Sequence, residues 1–229
     1  GITYAKGASV LQQLVAHVGK ANFVAALKKY FAKHAWKNTT LNDLLVELEA
    51  TSGRDLKPWV ATWLCTAGVN TLRPEISLSD GKYSSVVVKQ EPPKMPVGSS
   101  ELRPHRMSVG IYDLVDEKLV RRISHELDVI GAATTVDAFK GDKEGDLILI
   151  NDGDLSYGKL RFDAKSVKTL IQKLSGVEDP LTRALCWSAT WDMLRDGELS
   201  ASEYVPMAVT GLSTEKDVSV VSMTLMQLG

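Results

Sequence analysis

The sequence predicts an α+β multidomain chain: a helical block, a small β-sandwich, then a second helical block. Three observations predict it. Apolar residues recur at helical spacing up to about residue 72, and the period then shortens to that of strands after "NTLRPEI". From Asp163 helical spacing returns, with capping residues at regular intervals. The division expected from these changes is 1–74, 75–155 and 156–229.

In the first block Val10, Leu11, Leu14, Val15 and Val18 form one stripe, closed by Gly19. The spacing starts this helix at Lys6 or Gly7, with Tyr4 directly before it. Phe23, Val24, Leu27, Tyr30 and Phe31 form a second stripe, with Lys28, Lys29 and Lys33 on the wet face. "TLNDLLVEL" places Thr40 and Asp43 at capping-box spacing ahead of Leu41, Leu44, Leu45 and Leu48, and Gly53 ends that helix. In "LKPWVATWL", Trp59, Val60, Trp63 and Leu64 share a face.

"YSSVVVKQ", "HRMSVGIYDL", "KLVRRISHEL" and "DLILIND" are short β-rich runs at the spacing of a small antiparallel sandwich. "QEPPKMPVGSSELRP", with Pro92, Pro93, Pro96 and Pro104, reads as a long loop. In the last block Asp163, Asp179, Ser200 and Thr214 are expected N-caps, Pro180 fits a first helical position, and Ser200 with Glu203 makes a second capping box. Alternate caps lie 37 residues apart (163 to 200) and 35 apart (179 to 214), the period of stacked helix pairs. Two pairs are few for a solenoid, so both ends of the chain read as cut.

Of 229 residues 44% are apolar and 24% charged, enough for a real core, and the net charge is −1. That balance gives no electrostatic support to nucleic-acid or membrane-surface binding. No run approaches the ~18 apolar residues of a membrane span. Cys65 and Cys186 lie far apart in apolar contexts and read as buried free thiols, which favours a reducing, cytoplasmic location.

Several motifs fail on chemistry. "SHELDV" offers His125 and Glu126 of a zinc HExxH, but Val129 stands where the second imidazole is needed, and the segment reads as strand. Gly153 to Lys159 fits the phosphate loop GxxxxGK[ST] until Leu160 replaces its hydroxyl, no helix follows, and Asp152 and Asp154 would repel a phosphate. His17, His34 and His105 show no ligand spacing; His17 and His34 suit helix C-termini. Trp187, Trp191 and Leu194 are spaced as a helix core. No metal or cofactor ligand is expected within the chain. By physics alone Tyr4 is a packing residue with its hydroxyl at the surface.

"ITYAKGASVLQQLVAHVGKANFVAAL" closely resembles the stretch of M1-family zinc aminopeptidases that carries their catalytic tyrosine, through Tyr4, Lys6, Gly7, Ala8, Gly19 and Phe23. "SGRDLKPWVATWLCTAGVNTLRPEI" looks like that family's exit from the catalytic domain into its β-sandwich, and "LILINDGDLSYGKLRFD" like its entry into the C-terminal helical domain. The wording of these segments is similar to the actinobacterial aminopeptidase N type. The resemblance implies the end of a thermolysin-like catalytic domain, a β-sandwich and the start of a HEAT-like helical domain. It further implies that single residues are removed from peptides with a free N-terminus by attack of a zinc-activated water, with Tyr4 donating a hydrogen bond to the tetrahedral oxyanion. Lys6 and Gly7 read as a helix-start residue and a close-packing position. The family's zinc ligands lie upstream of its tyrosine and are absent here. The zinc is therefore expected on a missing N-terminal part, which is this chain's implied partner, and the chain alone is expected to be inactive. Two other readings stay open: a non-catalytic helical scaffold or zinc-less relative, and, more distantly, a nucleotide-binding protein.

Overall fold

The computed structural model describes residues 2–229, with side chains from Tyr4 onward. The fold is α+β, with eight α-helices and two sheets among the described residues. Helices α1 (Ile2–Val18), α2 (Lys20–His34), α3 (Leu41–Ser52) and α4 (Lys57–Trp63) form the first block. The expected Thr40–Asp43 capping box is present, and Gly53 closes α3 in the left-handed conformation (φ 69°), its N–H donating to the Glu49 carbonyl. Helix α1 begins earlier than its apolar stripe, so Tyr4 lies within its first turns and not before it. Val10, Leu14 and Val18 of α1 pack with Leu48, Leu56, Trp59 and Trp63 into one buried cluster. Leu11, Val24, Phe31 and Leu64 of the expected stripes instead face solvent.

Seven strands follow: β1 (Thr71–Ser79), β2 (Lys82–Glu91), β3 (His105–Val115), β4 (Lys118–Val129), β5 (Ala133–Thr135), β6 (Leu147–Asp152) and β7 (Lys159–Leu160). One sheet runs β5-β2-β1-β7 and the other β4-β3-β6. All pairs are antiparallel except β1 with β7. Strand β1 holds Pro74, which reads against a strand. β7 pairs only with Thr71 and Leu72, so beyond them the missing N–H of Pro74 falls on an open edge. Every residue of β6 is buried, because its inner face meets the opposite sheet while α5 packs over it.

Helices α5 (Ala164–Lys173), α6 (Pro180–Arg195), α7 (Ala201–Leu212) and α8 (Val218–Leu228) complete the chain. Asp163, Asp179 and Ser200 cap as expected, but Asp217 and not Thr214 caps α8, accepting from the N–H groups of Ser219 and Val220. The sandwich and these helices share one buried core, from Leu72 through Met107 and Ile150 to Trp187 and Tyr204. Cys186 is buried, whereas Cys65, just past the end of α4, is exposed; both are free. Among the described residues no helix is long and apolar enough to cross a membrane.

Candidate functional site

Tyr4 stands on the outer face of α1 and is 85% exposed. Two residues on, the Lys6 ammonium lies 5.9 Å from the centre of the Tyr157 ring, a cation–π contact reaching the β6–β7 turn. Gly7 is not the close-packing position expected of it, since a Cβ there would have no described neighbour within 4 Å. It borders an apolar groove of about 540 Å³ between α1, α3 and α4, whose walls include Val10, Leu14, Leu44, Trp59 and Trp63.

Helix α1 is tied to the sandwich by polar side chains that its apolar period did not disclose. Gln13 is fully buried: its Oε1 accepts from Trp59 Nε1 at 2.6 Å, and its Nε2 donates to the Pro104 carbonyl at 3.2 Å. Trp63 Nε1 donates to the same carbonyl at 2.9 Å. Next to it His105 is buried between Ser156 Oγ (2.6 Å from Nδ1) and Gln90 Oε1 (3.0 Å from Nε2), with its ring edge-on to Trp63. Burial, reinforced by the nearby Arg103 charge, pushes this imidazole down to about 3, so it is neutral at pH 7. Gln90 Nε2 is spent on the Gly131 carbonyl, so Gln90 Oε1 accepts; this puts the imidazole proton on Nε2 and leaves Nδ1 to accept from Ser156. Arg103, also buried, donates to the carbonyls of Thr62 (3.0 Å) and Ala67 (2.9 Å), to Thr66 Oγ1 (2.6 Å) and to Asn70 Oδ1 (2.8 Å). It thereby neutralises the carbonyl end of α4. Helical or strand periodicity reports apolar faces, so none of this network was visible as a pattern.

The motifs set aside on chemistry fall where that reading put them. His125 and Glu126 lie exposed on β4, with Val129 buried. Residues 153–158 form the turn between β6 and β7, and Lys159, first in β7, pairs through Nζ with Asp196 at 2.8 Å. Among the described residues no three His, Cys, Asp or Glu side chains converge as a metal site. The described residues therefore do not fit a catalytic zinc.

Comparison with known proteins places these elements. Residues 1–63 match the peptidase family M1 domain, and residues 147–229 match the ERAP1-like C-terminal domain. Aminopeptidase N of Streptomyces lividans is 48% identical over 226 residues, covering 96% of this chain and 26% of the relative. Leucyl aminopeptidase of Saccharolobus solfataricus is 33% identical over 76 residues, 33% of this chain and 10% of that protein. The crystal structure of Legionella pneumophila aminopeptidase A in complex with aspartic acid shares the fold, with a TM-score of 0.60 at 19% identity over 98% of this chain and 26% of that one. The chain thus spans about a quarter of the length of the relatives that match it from end to end. By these matches the chain is strongly homologous to aminopeptidase N of the M1 family over 96% of its length.

Proposed function

We propose that this chain is part of a zinc aminopeptidase and supplies its oxyanion donor, Tyr4. The observation that carries the reading is the match of residues 1–63 to the peptidase family M1 domain, which takes in the helix that presents Tyr4 to solvent. The substrate class is peptides with a free N-terminus, and the zinc would be held by residues outside this chain. The chemistry assigned here is therefore the tyrosine's alone. A neutral phenol can donate a hydrogen bond to the oxygen that becomes negative when the scissile carbonyl turns tetrahedral, without competing as a base. The same proposal includes the division at 74/75 and 155/156 into catalytic-domain end, sandwich and helical-domain start. The family matches at the two ends support its outer parts. A cytoplasmic location also belongs to it.

The test is made in the full-length protein encoded at this locus. Its sequence upstream of Gly1 should hold HExxH and a later Glu. Tyr4→Phe should lower kcat on an aminoacyl p-nitroanilide by ~10²–10³-fold and leave KM within about twofold. Wild-type turnover in Tyr4→Phe would return the residue to packing, and an upstream half without zinc ligands would favour the scaffold reading.

A further inference from the structure

Resting on the assignment of Tyr4 above, the geometry points to Gln13 as a positioning residue that sets the rotation of α1 and so the bearing of the Tyr4 hydroxyl. The two residues are nine apart. At 3.6 residues per turn that is two and a half turns, roughly 13 Å along the axis, and it places them on opposite faces. Gln13 is fully buried and Tyr4 is 85% exposed, as that geometry requires.

The other buried side chains of α1 are the apolar Val10, Leu14 and Val18, and half-buried His17 lies with its Nδ1 3.5 Å from an Arg54 guanidinium nitrogen. Apolar packing is non-directional, and a helix bedded only on it can turn by some degrees at little cost. A buried amide differs, because only one orientation satisfies both of its ends. Gln13 Oε1 accepts from Trp59 of α4, and its Nε2 donates to Pro104 at the mouth of β3. The Pro104 carbonyl is itself fixed, since Trp63 donates to it and the adjacent His105 is locked by Ser156 and Gln90 inside the sandwich. Gln13 therefore references α1 to two bodies at once. A rotation that disturbed it would swing Tyr4 on the far face by the same angle. Gln12 adds a second tie on the β6–β7 turn, donating to the Asp154 carbonyl at 2.9 Å.

The experiment is a double-mutant cycle in the full-length enzyme, with kcat and KM measured for Gln13→Met, Tyr4→Phe and the pair. Methionine keeps the volume and apolar packing and removes both hydrogen bonds. Because angstrom-scale misplacement of a catalytic group costs turnover steeply, Gln13→Met should lower kcat by about 10-fold or more with KM within about twofold. In the Tyr4→Phe background it should cost nothing further. Multiplying losses, or wild-type kcat in Gln13→Met, would overturn the inference. Wild-type turnover in the Tyr4→Phe single variant would instead overturn the tyrosine assignment itself, so the two failures are distinguishable. Should Gln13→Met not fold, Trp59→Phe keeps an aromatic, though smaller, ring, removes the donor to Gln13, and enters the same cycle with the same expected outcomes.

Discussion

His105 shows what one buried side chain does to the whole stability profile. In the folded chain burial pushes its imidazole down to about 3, whereas in the unfolded chain it returns to about 6.5. As pH falls the unfolded state takes up the proton first. Stability is therefore full above about pH 6.5 and declines from there until the folded imidazole also protonates near 3. His17 is shifted the same way, by burial and then by the Arg54 charge, and adds to the decline. Each histidine contributes at most about 1.4 kcal/mol per pH unit. Urea unfolding at pH 7.5 and 5.5 spans the ordinary histidine range while unfolded carboxylates titrate near 4, and the His105→Gln comparison separates His105 from the other groups. The wild-type chain should be less stable at pH 5.5, and His105→Gln should be weaker at pH 7.5 but lose less on acidification. An identical pH response in the two proteins would mean that His105 is not buried neutral. At this scale the sequence said little: Tyr4 emerged only through family resemblance. The neutral His105, the carboxylate-free Arg103 and the bridging Gln13 each depend on partners 15 to 91 residues away.

Elements were more legible, and the reason is locality. Capping boxes at Thr40 and Ser200, and caps at Asp163 and Asp179, bond within three residues of themselves, so spacing alone revealed them. What failed depended on distant chain. Pro74 is acceptable in β1 only because of where β7 ends, and the parallel β1–β7 pair joins residues far apart in sequence. Thr214 lost the cap of α8 to Asp217: the chain stays non-helical up to Asp217, with the N–H groups of Lys216 and Asp217 donating to the Glu215 carboxylate. The Glu215 side chain is enclosed, holds Arg183 of α6 in two bonds of 2.8 Å and accepts from Trp187 Nε1 at 3.1 Å; these donors, Arg183 first, hold its carboxyl down at about 2. That staple also fixes the Trp187 ring against α7, with a consequence at Gly211. In an ordinary helix interior Gly→Ala gains about 1 kcal/mol. Here a Cβ would lie 2.6 Å from Trp187 Cζ2 and 2.8 Å from Cη2, against a ring that is itself buried and hydrogen-bonded. Overpacking of that kind costs about 1–3 kcal/mol, so the clash wins over propensity. Gly211→Ala should lower the urea midpoint, and a raised midpoint would mean that α7 does not seat on Trp187.

At the scale of the whole molecule, the seams differ in kind. The sandwich and α5–α8 share thirty buried apolar side chains in one cluster, whereas α1–α4 enclose only eight in their own. What joins α1–α4 to the sandwich is largely polar: Gln13 and Trp63 on Pro104, Arg103 on the end of α4, and Arg54 paired with Asp128 at 3.2 Å. A hydrogen bond, even a buried one, contributes only about 0.5–1.5 kcal/mol net, while an apolar seam makes the parts on either side unfold together. The expected boundary at 155/156 therefore divides sequence character but cuts through one core. Native-state hydrogen exchange on this chain resolves the matter. Amides of α1–α4 should exchange through a common, low-energy opening, and those of β3, β6 and α6 through a single higher one that tracks global unfolding. Separate openings for β6 and α6 would show that the apolar seam does not couple them. A shared opening for α1 and β3 would show instead that the polar clasp around Pro104 binds the first helices to the sandwich as firmly as a hydrophobic core does.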